Sequence, residues 1–273
     1  MRGNEDKQAR RKFIQGQQEF SVVSKDKLLA SRALFQEAVD IDATFARAWG
    51  WLSYTYVQSW IYQYETDPGI LTIAQEYAQR AVDLDPEDFS NDWDLAFAML
   101  YSSEPKKIDR AVDQYKWAFK LTRDDTDALD FTKDVLMEGA EAMVYQGNKE
   151  EAVALMERTI RLPDWYNWNM AFAYFNVKRY DDALEHLQVW KWKYPPGHER
   201  FVNHSLLLVA ASHYMRNQEK DRMTASLWMK MFRSHPQDRH WTCEKESAVI
   251  PFKHPKDEEH WIEALAGAGL PRT

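Results

Sequence analysis

The one stretch that gathers metal-ligand residue types is His235-Pro-Gln-Asp-Arg-His240-Trp-Thr-Cys243. Imidazole nitrogens and a thiolate suit zinc or a related transition metal, so His235, His240 and Cys243 form the candidate ligand set. Their spacing follows no structural zinc pattern and fixes no fourth ligand, so an end loop is the favoured reading and no metal is expected. Glu185-His186 and Ser212-His213-Tyr214 lie beside apolar residues in helical stretches, where an exposed or hydrogen-bonded imidazole is the ordinary case. The acidic pairs Glu150-Glu151 and Asp181-Asp182 open helices, where carboxylates complement the macrodipole without any catalytic role. There is no Gly-rich phosphate loop, Gly-x-Ser-x-Gly elbow or Cys-x-x-Cys pair. The chain therefore reads as a non-enzyme, with no catalytic residue and no cofactor.

The unusual chemistry is aromatic: 12 Trp, 13 Tyr and 13 Phe in 273 residues. Such rings are either core or a binding surface, and the choice depends on the elements that carry them. A search for internal similarity finds a recurring helix pattern: a small residue, a large apolar residue four later, and a small residue three later. It reads Ser31-Phe35-Ala38, Ala74-Ala78-Ala81, Ala111-Tyr115-Ala118, Ala152-Met156-Thr159 and Ala183-Leu187-Trp190, then loosely Thr224-Trp228-Met231. Residues at three/four spacing share a helix face, and small ones let a neighbouring helix come close. Acidic or proline stops follow at Asp42, Asp85-Pro86, Pro163, Pro195 and Pro236.

A second set precedes most of these: Trp49-Leu52-Ser53-Tyr56, Leu95-Ala96-Met99, Gly139-Ala140-Met143, Met170-Ala171-Tyr174 and Ala210-Ala211-Tyr214. The turns Gly147-Asn-Lys-Glu-Glu-Ala152 and Lys178-Arg-Tyr-Asp-Asp-Ala183 also match each other. The expected architecture is an N-terminal helix pair at 5–41, about five irregular pairs over 44–236, an irregular end segment at 237–256 and a capping helix at 257–266. One domain with no linker is expected over 1–273. The segment Trp60 to Pro68 is expected to lengthen a first helix and to turn at Asp67-Pro68-Gly69, projecting aromatics from one edge.

This pattern resembles the tetratricopeptide repeat family, most clearly over Ala46 to Pro86, where Trp49, Leu52, Tyr56, Ala74, Ala81 and Pro86 hold family positions. The resemblance spans about residues 25–236. It departs in spacing, the second-helix markers lying 43, 37, 41, 31 and 41 residues apart. Three segments look like one bacterial subgroup, the tetratricopeptide regions of adenylate/guanylate cyclase-like and winged-helix regulatory proteins. They are Leu34 to Trp49, Arg161 to Trp168, and the ending Trp261-Ile-Glu-Ala-Leu-Ala-Gly-Ala-Gly-Leu-Pro271. The resemblance implies an all-α, right-handed solenoid of about six helix pairs, acting as a sensory or scaffolding region.

In that family the first helices line a concave binding surface. Projecting it here gives a candidate groove of Arg47, Tyr54, Trp93, Phe97, Tyr101, Tyr145, Trp165, Trp168, Phe172 and Phe175, with Arg47 and Arg216 as polar anchors for an anionic ligand. Trp49 and Tyr56, on the packing stripe, are read as core. The expected function is a scaffold, adaptor or regulatory module that binds a partner peptide or helix. The alternatives are a receptor enclosing a small organic ligand and, behind both, a subunit assisting an enzyme. Self-association is a third use for such rings.

Composition narrows the partners. A net charge of −8 and a pI near 5.5 disfavour nucleic acid. The basic run Lys7 to Lys12 has acids at Glu5, Asp6 and Glu19 and reads as a solvated helix face. No apolar run approaches a membrane span, and Met1 to Asp6 lacks the apolar core of a signal peptide. A single cysteine, Cys243, excludes an internal disulfide and suits a reducing, cytoplasmic location.

Overall fold

A computed structural model describes the chain except for residues 1, 21–23, 103, 124–128, 159–165, 191–198 and 237. Within helices, the side chains of 2–6, 105, 121–123, 129–133, 189–190 and 199–203 also lie outside the description. The described residues are all-α, with fourteen helices and no strand. The chain divides into two compact units, Met1–Leu136 and Met137–Thr273, and the division falls inside α7 (Leu129–Gln146).

The first unit holds α1 (Arg2–Phe20), α2 (Lys25–Ile41), α3 (Ala46–Ile61), α4 (Gly69–Leu84), α5 (Phe89–Leu100) and α6 (Pro105–Arg123). Each odd helix packs on its even successor, and α3 also packs on α5. The small residues explain the pairing: Ser31, Ala38, Ala74, Ala78, Ala81, Ala111 and Ala118 are completely buried. Phe35 is equally buried at the centre of a cluster with Leu52 and Ala48. Trp49 and Tyr56 are half-buried. Both rings lean on Tyr77, and Trp49 Nε1 donates to the Ala43 carbonyl at 3.0 Å. Helix ends follow local chemistry, as where Ser24 and Asp88 accept first-turn amides of α2 and α5.

The 60–68 insertion does not lengthen α3. The helix stops at Ile61 and the chain folds back, with the amides of Tyr64 and Glu65 both bonding to the Ser59 carbonyl. Arg32 of α2 fixes this return by pairing with Glu65 at 2.6 Å, bonding Ser59 Oγ at 2.6 Å and stacking on Tyr56. Tyr62 is thereby buried rather than projected. The expected turn does form, with Asp67 accepting the Gly69 amide.

The second unit continues with α8 (Lys149–Glu157), α9 (Asn167–Asn176), α10 (Tyr180–Trp190), α11 (Glu199–Arg216), α12 (Arg222–Ser234), α13 (Cys243–Val249) and α14 (Pro255–Ala268). Pairing recurs in α9 with α10 and α11 with α12. The matched turns are one structure. Gly147 (φ 103) and Lys178 (φ 64) are both left-handed, and each is followed by a backbone bond spanning five residues: Asn148 to Met143 and Arg179 to Tyr174, both 2.9 Å.

Two expectations shift here. On α12 the buried residues are Ala225, Met229 and Phe232, one position beyond the predicted Thr224-Trp228-Met231, so Met231 faces solvent. The end segment is not irregular throughout. It contains α13, capped by Thr242, and α14 packs on both α11 and α12. The close approach of α14 to α11 needs Gly267, whose Cβ would fall 2.1 Å from the Tyr214 ring. Thr159, Pro163, Trp165 and Pro195, and the side chain of Trp190, lie outside the described residues.

Candidate partner-binding surface

The ten projected groove positions separate by unit. On α3 and α5 the rings form a connected row. Tyr54 stacks on Phe97 at 4.9 Å and 28°, and Phe97 meets Tyr101 edge-on at 5.1 Å. Trp51 and Phe20 extend the row, with Phe20 5.5 Å from Trp51 and 5.4 Å from Tyr54. Phe97 is buried, whereas Trp51, Tyr54, Trp93 and Tyr101 keep part of their surface open to solvent. Offset and edge contacts of this kind are the favoured arrangements of paired rings.

Arg47, projected as an anchor, is engaged within the unit. Its Nη1 donates to Asp94 Oδ2 at 2.7 Å and to Asn91 Oδ1 at 3.2 Å, while Asp88 lies 3.9 Å from Nε. Burial pushes the Asp94 carboxyl up, and Arg47 opposes that shift. Gly50 makes the approach feasible, since a Cβ there would fall 2.2 Å from Asp94 Oδ2. Arg216 is likewise committed, to Asp221 at 2.7 Å and Asp181 at 3.2 Å. Both guanidinium groups are structural ties.

In the second unit Tyr145, Phe172 and Phe175 are covered by the chain's own C-terminal segment. Trp168 stacks on Phe172 at 5.2 Å and 5°, and Tyr145 lies 5.2 Å from Phe172. Phe252 then sits on Tyr145 at 5.2 Å, and Trp261 of α14 points its edge at Phe172 (5.8 Å) and Phe175 (5.2 Å). Phe172 and Phe175 are fully buried, Tyr145 nearly so, and Trp168 half-buried.

Polar ties hold this cover down. The Lys253 amide donates to the Tyr145 carbonyl at 2.9 Å, and Lys149 pairs with Asp257. Glu246 of α13 accepts both the Trp241 indole (2.8 Å) and the Trp261 indole (3.0 Å). Glu141 of α7 accepts from Asn169 of α9; burial pushes its carboxyl up to about 7, against hydrogen bonds from Tyr145 and Asn169.

The histidine and cysteine set does not converge. His235 lies 3.1 Å from buried Asp238, His240 accepts from Arg239, and Cys243 turns its thiol to the Leu270 carbonyl. Among the described residues no cluster of three or more such side chains could hold a metal. His186 meets Asn167 at 2.9 Å and His213 lies beside Arg216.

Sequence reasoning missed Trp51, Phe20, Phe252, Trp261 and Glu246. Trp51 stands three residues before Tyr54 on α3, a spacing that places both on one face and signals the pair. A cleft of about 410 Å³ elsewhere, floored by Leu95 and Met99 and walled by Gln75, Glu76, Arg80 and Arg110, contains none of the projected residues. The chain matches no model of a known protein family and no curated protein. Among the described residues no helix is long and apolar enough to cross a membrane.

Proposed function

We propose that the chain is a tetratricopeptide-like helical-repeat adaptor that captures an apolar segment of a partner protein on the aromatic face of α3 and α5. Four features support the repeat reading: the successive helix pairs, the odd-to-odd packing of α3 with α5 and α9 with α11, the duplicated left-handed turn, and the buried small residues of each second helix. The right-handed sense of stacking and a reducing, cytoplasmic setting belong to the same proposal. Buried Cys243, its thiol pushed up by desolvation, suits that setting.

One observation carries the binding assignment. On α7 and α9 Tyr145, Phe172 and Phe175 already hold an apolar segment, the chain's own Phe252 and Trp261. On α3 and α5 the corresponding Tyr54, Trp93 and Tyr101 remain partly open. An aromatic surface of this kind gives large contact area at low entropic cost.

The test is selection of peptides from a random library on the immobilised chain, followed by fluorescence anisotropy with labelled winners. Enriched peptides are expected to be apolar or aromatic. Tyr54→Ala and Trp93→Ala should each weaken them about tenfold, roughly 1.4 kcal/mol, with an intact melting curve. Unchanged affinity in both variants sinks the assignment.

A further inference from the structure

Among the described residues, the exposed large apolar side chains of the second unit gather on α12. Met223 is 75% exposed, Leu227 54% and Met231 49%. Their i, i+4, i+8 spacing places them in one stripe about 12 Å long, roughly 80° wide at ~100° per residue. The stripe exists because the helix buries Ala225, Met229 and Phe232, leaving this second apolar series facing outward. Scattered single apolar residues on a surface are ordinary, but an aligned series on one helix is not.

Charge is distributed on one side only. Arg222, Lys230 and Arg233 are exposed and occupy the neighbouring sector, again roughly 80° wide. The other side carries half-buried Thr224 and Trp228. Past the end of the helix the cationic flank continues. Arg233 donates to the Arg239 carbonyl, Arg239 to His240, and Lys245 to the His240 carbonyl at 2.8 Å. Among the described residues, none of Arg222, Lys230, Arg233 and Arg239 takes part in an ion pair. In a chain whose net charge is −8, an unneutralised cationic strip beside an apolar one is locally distinctive.

We infer that α12 is a docking surface for an amphipathic helix of a partner protein, one with an apolar ridge flanked on one side by carboxylates. The ridge seats along Met223, Leu227 and Met231, two of them thioethers that adapt to an imperfect fit. The carboxylates face Arg222, Lys230 and Arg233 and set the orientation of the incoming helix. A membrane surface fits less well, because an interfacial helix carries cations on both borders of its apolar face, whereas α12 has them on one. A second copy of α12 fits less well also. In an antiparallel two-fold pair like flanks meet, which sets cation against cation.

The site lies on other residues than the ring row of α3 and α5, so the two assignments fail independently. The probe is a synthetic, fluorescein-labelled 18-residue helix with Leu at i, i+4 and i+8 and Glu along one flank; a twin carries Lys in place of Glu. Anisotropy titration of the full chain is expected to give at least tenfold tighter binding of the Glu peptide. Leu227→Glu should abolish it, with Leu227→Ser as the variant if the charge itself lowers the melting temperature. The pair Lys230→Glu with Arg233→Glu should reverse the preference toward the Lys peptide, and Leu29→Ser, at an exposed apolar position of α2, should leave it unchanged.

Equal binding of both peptides, or no binding, overturns the inference. So does Leu227-dependent sedimentation with vesicles of three parts phosphatidylcholine to one part phosphatidylglycerol, which makes the face a lipid surface. A dimer in light scattering that Leu227→Glu dissociates also overturns it, in favour of self-association.

Discussion

Replacing Trp261 by alanine removes the side chain that closes the second unit's aromatic face. Trp261 is 2% exposed, touches Phe172 and Phe175 with its edge, and donates its indole N–H to Glu246. Truncating a buried Trp costs about 3–5 kcal/mol through lost contacts and the cavity left behind. Glu246 then keeps one indole donor instead of two, and a buried acceptor that loses a partner costs about 1–3 kcal/mol. Because both losses occur at one site they do not simply add, and a total near 5 kcal/mol is expected. Trp261→Phe separates them in part: it keeps a six-membered ring but loses the donor and the fused five-membered ring, for about 2–4 kcal/mol. Urea denaturation of the full chain at pH 7 measures both, and hydrogen exchange locates the loss, which should fall on α7, α9 and α14. A cost below 1 kcal/mol for Trp261→Ala refutes the closure. Equal costs for the two variants refute the packing share of it.

Arg47→Ala should destabilise the first unit by about 3 kcal/mol in denaturant unfolding, because it leaves Asp94 buried without its cation. The double replacement Arg47→Met with Asp94→Leu should recover most of that loss. At the duplicated turn, Gly147→Ala should cost at least 1 kcal/mol, since φ is 103° and the new Cβ meets His254 at 2.6 Å; Lys178→Gly should gain about 1 kcal/mol in the same thermal melts. Glu141 titrates near 7 when folded against 4.5 for an ordinary glutamate. Its proton stabilises the fold, fully below pH 4.5, and that contribution disappears as the pH rises through 7. Glu141→Gln should therefore flatten stability across this window, by about 3 kcal/mol at most, in unfolding curves from pH 4 to 8.

Much of the helix framework was legible because it is written in local periodicity. Ala74, Ala78 and Ala81, or Ala111 and Ala118, bury themselves by virtue of spacing alone. The failures are contacts between residues far apart in sequence. Arg47 looked like a free anchor because Asp94 stands 47 residues away. Phe172 and Phe175 looked like groove residues because the side chain that covers them, Trp261, comes more than 80 residues later, on a helix read only as a terminal cap. On α12 two apolar series one residue apart compete for the core. Periodicity alone did not separate Ala225-Met229-Phe232 from Thr224-Trp228-Met231. The insertion failed for a similar reason, since its return depends on Arg32 of the preceding pair.

The ring row of α3 and α5 is tested most directly by a hydrogen-exchange footprint of a library-selected apolar peptide on the full chain. Protection is expected over residues 47–61 and 89–101, with no change over 137–176, where the chain's own Phe252 and Trp261 already occupy the rings. Protection confined to 137–176, with α3 and α5 unaffected, contradicts it.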